Sequence, residues 1–134
     1  MRLRSLRPRP LRLAVSVVVI LVATMALAEA GTGDVTRRGS CSGRGEWRLR
    51  VRHETATTIR VRFDIERLDS GDTWQLFLSD NGTRIFSASR IVDADGEVRA
   101  VKVTSNLAGT DRIRASGVNV GESGSCDGAL NYRA

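Results

Sequence analysis

Four arginines at alternate positions are the residues of this chain whose type and spacing best suit a binding chemistry. Arg50 and Arg52 alternate with apolar residues in one segment, and Arg60 and Arg62 do so in the next. A guanidinium group forms paired hydrogen bonds with phosphate, sulfate or carboxylate groups. The four arginines are therefore candidates for an anion-binding surface, provided that the two segments lie side by side.

The segments that carry these arginines have the period-2 alternation of half-buried β-strands. Because apolar faces must coincide, an antiparallel pair places Arg52 opposite Arg60 and Arg50 opposite Arg62 on the outer face. Like charges that oppose each other destabilise a sheet. Either neighbouring carboxylates neutralise the arginines, which is the interpretation that we favour, or the positive field binds an anion. The carboxylates nearby in sequence are those of Glu46, Glu54, Asp64 and Glu66.

A second candidate surface contains two phenylalanines. The dipeptide Asn81-Gly82 is typical of a two-residue hairpin turn between strands. Such a turn pairs Phe77 with Phe86 and leaves both rings on the outer face as an apolar patch. The alternative, which we favour, is a bulge or a longer turn that returns Phe86 to the core.

Catalytic and metal-binding patterns are sparse. His53 is the only histidine, and neither a nucleophile turn nor a His-Glu-x-x-His helix accompanies it. Asp93 and Asp95 are arranged as in part of a calcium loop, but the loop spacing requires a carboxylate where Lys102 stands. We therefore interpret this segment as a turn and expect no enzymatic activity, no cofactor and no bound metal.

The two cysteines predict a disulfide. Cys41 and Cys126 lie near the two ends of the predicted mature domain, and the chain contains no other cysteine. Two such thiols pair in an oxidising compartment. A tetrahedral zinc site would need ligands that one histidine cannot supply. A Cys41–Cys126 bridge would connect the first structural element to the last.

The N-terminal segment predicts where the protein is located. The first twelve residues contain five arginines, residues 13–27 are almost all apolar, and Ala28 and Ala30 complete small-x-small cleavage sites. This pattern is typical of a Sec signal peptide. The alternative is an uncleaved anchor, but the apolar run is shorter than the roughly twenty residues of a spanning helix. We expect residues 1–30 to be removed and residues 31–134 to form one secreted domain without a membrane anchor.

The charge balance argues against nucleic acid as a partner. The 134 residues include 21 Lys and Arg against 15 Asp and Glu, a formal net charge of +6. Five of the arginines belong to the predicted leader, so the mature domain is only mildly basic. A weak surplus of this kind does not indicate DNA or RNA binding. The length limits the chain to one domain and excludes a large multidomain enzyme.

The predicted mature domain consists of short strands. Period-2 alternation and turn residues recur along it, and no segment has the apolar period of a helix. This pattern predicts an all-β protein, an antiparallel two-sheet sandwich of about seven strands. The predicted strands cover residues 46–53, 58–67, 73–79, 83–92, 98–104, 111–120 and 126–132.

Five short motifs extend over most of the predicted mature domain. They are Gly39-Ser40-Cys41-Ser42-Gly43, Thr73-Trp74-Gln75-Leu76, Asn81-Gly82, Ala108-Gly109-Thr110-Asp111-Arg112-Ile113 and Cys126-x-Gly128. Together with the secretory leader, they resemble a group of small exported actinobacterial proteins of uncharacterised function. The resemblance implies an Ig-like sandwich held by one disulfide, and it implies no catalytic or ligand-binding residues.

These features favour a non-enzymatic secreted binding or structural module. Its expected partner is an anionic polymer of the cell envelope, or a secreted protein, contacted through the arginines. The alternative is an inhibitor of an extracellular protease or other hydrolase, since a small disulfide-linked sandwich can present a preorganised loop to a cleft.

Overall fold

The computed structural model describes residues 33–133, which form eight β-strands in two antiparallel sheets. Sheet A has the strand order β1-β2-β3-β6, and sheet B has the order β5-β4-β7-β8. The predicted antiparallel sandwich is thus confirmed, with one strand more than expected. The predicted signal peptide, residues 1–30, lies outside the described residues. The strands are β1 (Val35–Ser40), β2 (Glu46–Thr55), β3 (Thr58–Glu66), β4 (Thr73–Asp80), β5 (Thr83–Ile91), β6 (Val98–Ser105), β7 (Thr110–Asn119) and β8 (Ser125–Arg133).

The additional strand is β1, which forms an edge of sheet A. Its sequence, VTRRGS, has no clear alternation, so its conformation comes from pairing with β2. Arg37 and Arg38 lie on this edge strand and are exposed. Exposed cations on an edge strand oppose further strand pairing between molecules.

The strands β2 and β3 pair in the predicted register. Arg50 faces Arg62 and Arg52 faces Arg60 on the outer face, while Leu49 faces Phe63 on the core face. Alternation puts the apolar side chains of both strands inside, where all are buried except Trp47, which is partly buried. The buried residues of these two strands that belong to the core are Leu49, Val51, Ile59, Val61, Phe63 and Ile65.

The hairpin β4–β5 differs from its predicted pairing. Asn81 and Gly82 both have positive φ angles, 47° and 83°, as a tight two-residue turn requires. The register then shifts at Leu78, so that Leu78 rather than Phe77 faces Phe86. The predicted Phe77–Phe86 pair is therefore wrong, and the alternative of a β-bulge that turns Phe86 towards the core is confirmed.

The disulfide Cys41–Cys126 is present, as predicted, and both cysteines are buried. It joins the loop after β1 to strand β8, and so connects sheet A with sheet B. Close to it, the Trp47 ring packs over two glycines and also contacts the Phe63 ring. A Cβ atom on Gly39 or Gly128 would lie 2.6 Å or 2.8 Å from the Trp47 ring, so only glycine fits at these two positions.

The strand β6 completes sheet A. Val98 and Ala100 face the core, whereas Val101 and Val103 lie on the outer face beside Arg62 and Arg60. The two sheets meet where β1 and β2 contact β8 and where β6 contacts β5. Among residues 33–133 no helix is long and apolar enough to cross a membrane.

Candidate functional site

The four predicted arginines lie together on the outer face of sheet A. Arg50, Arg52, Arg60 and Arg62 line a common cavity of about 60 Å³. The register of β2 and β3 positions them, because alternate residues of both strands point away from the core. We call these four residues the arginine face.

Each arginine of this face has a carboxylate partner. Arg60 donates two hydrogen bonds to Glu54, at 2.8 Å and 2.6 Å. Arg50 donates to Asp34, with its Nε 2.9 Å from Oδ2. Arg52 has the loosest contact, since its Nη2 lies 4.0 Å from a Glu54 oxygen that Arg60 already binds.

The fourth arginine, Arg62, donates to Asp64 over 2.7 Å. Asp64 is only 4% exposed and also accepts a hydrogen bond from Arg99 of β6. The face and Arg99 therefore bring five guanidinium groups to three carboxylates. The hydrogen bond with Arg60 lowers the pKa of Glu54, and the hydrogen bond with Asp64 raises the pKa of Arg99.

The sequence identified only part of this compensation. Glu54 and Asp64 bind the arginine face as expected, but Glu46 pairs with Arg67 and Glu66 pairs with Arg48. The partner of Arg50 is Asp34, which precedes β1. The sequence pattern did not predict β1, so it could not predict that Asp34 lies beside Arg50.

The two phenylalanines lie in different environments. Phe86 packs against the core, whereas Phe77 is half-buried on the outer face of sheet B. The guanidinium carbon of Arg84 lies 4.4 Å from the centre of the Phe77 ring, a cation–π contact. The two rings therefore do not form the single apolar patch that the two-residue hairpin predicted.

Phe77 lines a groove of about 330 Å³ on sheet B, which we call the sheet B groove. Strands β4, β7 and β8 supply its floor, and Arg84 of β5 projects into it. The residues that line it are Phe77, Leu78, Ser79, Arg84, Arg114, Ala115, Ser116, Asp127, Gly128 and Ala129.

The charged groups of the sheet B groove have no ionic partners among residues 33–133. Arg84, Arg114 and Asp127 form no salt bridge and no side-chain hydrogen bond within that range. Sequence reasoning missed this groove because its residues come from four strands. The available signal was the alternation of β7, which places Arg112, Arg114 and Ser116 on one face.

Two buried carboxyl groups lie at the end of sheet B. Asp80 is 3% exposed and Asp111 is fully buried, and burial together with the charge of Asp111 raises the pKa of Asp80 to about 6. Asp111 accepts a hydrogen bond from the backbone of Leu107. Asp80 Oδ1 and Asp111 Oδ2 meet no hydrogen-bond donor among the described residues. A proton on one carboxyl group can therefore join the two.

Three further carboxylates, those of Asp69, Asp72 and Glu122, have oxygens within 4.8 Å of one another. Arg44 pairs with Asp69, and the Asn119 amide donates to Asp72. Carboxylates at this spacing suit a hard cation such as Ca²⁺, which takes six to eight oxygen ligands. Arg44 and the Asn119 amide already bind two of the carboxylate oxygens that such a cation would need.

Asp93 and His53, the remaining candidates from the sequence, form contacts within the fold. Asp93 Oδ1 accepts hydrogen bonds from the backbone of Asp95 and Glu97, at 3.0 Å and 2.9 Å, which is the geometry of a turn. The His53 ring contacts the Tyr132 ring edge-on, with 5.8 Å between centroids. Asp93 thus lies in a turn, as the sequence predicts, and His53 packs against Tyr132.

No protein-family model matches the chain, and no curated protein matches it significantly. The arrangement of side chains is therefore the basis on which a function can be proposed.

Proposed function

We propose that this protein is a non-enzymatic, secreted binding module that contacts anionic polymers of the cell envelope through the arginine face. The observation that carries the proposal is the convergence of four guanidinium groups on one cavity of about 60 Å³. Arginine forks match phosphate and carboxylate groups bidentately. The chemistry that this face offers is recognition of anions.

The ion pairs of the arginine face do not prevent it from binding an anionic polymer. The pairs of Arg50, Arg52 and Arg60 are partly exposed to solvent, and exposed ion pairs contribute little to stability. A polymer that presents many anionic groups can replace several such partners at once. Arg52, whose carboxylate contact is the longest, is the first guanidinium available to it.

Secretion is supported by two independent features. The N-terminal sequence has the pattern of a signal peptide, and the domain contains a disulfide of the kind that persists in oxidising compartments. A secreted binding module of this size would meet the polymers of the cell envelope, many of which carry repeated anionic groups.

The test uses protein secreted from its full coding sequence and immobilised inorganic polyphosphate as the probe. The variant carries Arg50→Gln, Arg52→Gln, Arg60→Gln and Arg62→Gln. We expect its affinity to fall at least about tenfold, because several charge-assisted hydrogen bonds are lost. Binding of the unmodified protein should weaken as salt increases, since exposed charges are screened.

A matched control separates the arginine face from net charge. Its four substitutions to Gln remove the same charge at arginines that form no ion pair among the described residues: Arg37, Arg90, Arg112 and Arg133. The control should keep most of the affinity. Equal losses in both variants, or no loss in either, would overturn the proposal. Thermal unfolding of each variant checks that it is folded.

A further inference from the structure

We propose that the sheet B groove binds an acidic sugar, a saccharide residue that carries a carboxylate and neighbouring hydroxyl groups. This groove lies on the outer face of sheet B, whereas the arginine face lies on the outer face of sheet A. The inference therefore goes beyond the proposed polymer binding and stands or fails separately from it.

Two guanidinium groups of the groove are available for a carboxylate. Arg84 lies over the Phe77 ring at 4.4 Å, which fixes the direction of its guanidinium group. Arg114 lines the same groove from β7. Neither has a carboxylate partner among residues 33–133. Unlike the four arginines of the arginine face, they can bind an anion without breaking an existing ion pair.

The groove also offers groups that bind hydroxyls, and they lie beside these arginines. Asp127 faces Ser116 across β7 and β8, and Ser79 faces Arg114 across β4 and β7. An ionised carboxylate accepts hydrogen bonds, and a serine hydroxyl both donates and accepts them. A ligand that fits must therefore combine one anionic group with nearby hydroxyl donors, which is the pattern of an acidic sugar.

The floor of the groove favours a small ligand over a peptide strand. Ala129 and the core-facing Ala115 and Gly128 line a volume of about 330 Å³, within the range of small-molecule sites. The strands β4 and β7 are hydrogen-bonded on both sides, so they have no free edge to which an extended peptide could add. Recognition must come from the side chains.

The test titrates the secreted protein with trigalacturonic acid and, in parallel, with the neutral galactose trisaccharide, by calorimetry. We expect binding of the acidic sugar alone. Arg114→Gln and Asp127→Asn should each weaken it at least about tenfold, since each removes a charge-assisted hydrogen bond. The control Arg112→Gln, on the same strand but outside the groove, should leave it unchanged.

Phe77 is a positioning residue in this proposal, because it acts through Arg84. Phe77→Leu should weaken binding of the acidic sugar, and Phe77→Tyr should restore it by keeping an aromatic ring beneath the guanidinium group. Equal affinity for the neutral trisaccharide would overturn the proposal, as would an unchanged affinity in Arg114→Gln. Equal binding of an aspartate-rich peptide would also overturn it, by showing a site for carboxylates in general.

The same titration separates this proposal from the previous one. The variant with four substitutions on the arginine face keeps the groove intact. It should bind trigalacturonic acid as the unmodified protein does while losing affinity for polyphosphate. If it loses both, the acidic sugar binds on sheet A and the groove is not its site.

Discussion

The two sheets of the sandwich differ in whether their charged side chains have partners of opposite charge. On sheet A, the buried carboxylate of Asp64 lies between Arg62 and Arg99, and every arginine of the arginine face contacts a carboxylate. On sheet B, the buried carboxyl groups of Asp80 and Asp111 lie near each other, and neither forms a salt bridge among residues 33–133. The charges of the sheet B groove are likewise without ionic partners in the described chain.

The charged groups of sheet A therefore stabilise the fold, whereas those of sheet B can change their protonation or bind a ligand. A buried carboxylate bound by two arginines is stable over a wide range of conditions, because both partners stay ionised. Two carboxyl groups that face each other depend on a proton, and free guanidinium groups depend on a ligand. Sheet A therefore contributes electrostatic stability, while sheet B contains the groups that pH and ligands can affect.

The largest expected effect is on sheet A. Asp64→Asn removes the negative charge between Arg62 and Arg99 and turns an amide towards two cations. We expect the free energy of unfolding to fall by about 2 kcal/mol, less than for a fully buried pair because both arginines are partly exposed. Chemical denaturation measures it. Glu66→Gln, which breaks the more exposed pair with Arg48, should cost less than about 1 kcal/mol.

An opposite sign is expected on sheet B. Asp80→Asn removes a carboxyl group whose pKa is raised to about 6, so at pH 7.5 the ionised form is held at a cost in the folded state. The substitution should raise the free energy of unfolding by about 2 kcal/mol at that pH. A loss of stability would show that Asp80 has a favourable partner and would remove the contrast between the sheets.

The pH dependence of the same variant sharpens this prediction. The folded pKa of Asp80 lies above its unfolded value of 3.8, so the folded state binds the proton first. The stability of the unmodified protein should therefore gain from Asp80 as pH falls from about 7 to about 4. The advantage of Asp80→Asn should shrink over that interval. Glu54 acts in the other direction, because its lowered pKa makes its contribution disappear as pH falls.

The smallest expected effect is in the sheet B groove. Arg84→Gln, Arg114→Gln and Asp127→Asn break no ion pair of the described residues, so each should change the free energy of unfolding by less than about 0.5 kcal/mol. Denaturation without ligand measures this. A large loss of stability in any of them would mean that these charges support the fold, as those of sheet A do, and that the two sheets are alike.

The register of sheet A could be predicted because both β2 and β3 alternate strictly. Only one alignment buries Leu49 and Phe63 together, and the same alignment fixes Arg50 opposite Arg62. The disulfide could be predicted because the predicted signal peptide implies an oxidising compartment, in which the two cysteines would pair. In both cases the sequence pattern favoured one arrangement on physical grounds.

The features that the sequence did not predict depend on contacts between segments that are distant along the chain. The turn at Asn81-Gly82 is local, but the bulge that follows exists because Phe86 gains burial against the core. Strand β1 exists because β2 offers it a partner, and the ion pair of Asp34 follows from that. The groove joins Phe77 to Asp127, which are fifty positions apart, and no spacing along the chain indicates their proximity.

The disulfide has a mechanical consequence for the domain. Cys41 and Cys126 are separated by 85 positions, so a force applied to the two ends of the domain passes through the S–S bond instead of through the strands between them. The bond withholds roughly 290 Å of extensible chain, at about 3.4 Å per residue. The arginine face and the groove residues of β4, β5 and β7 lie inside this closed loop, whereas Asp127, Gly128 and Ala129 lie outside it. Tension between the two ends of the domain would leave the segment from Cys41 to Cys126, and with it the arginine face, unextended until the covalent bond itself broke.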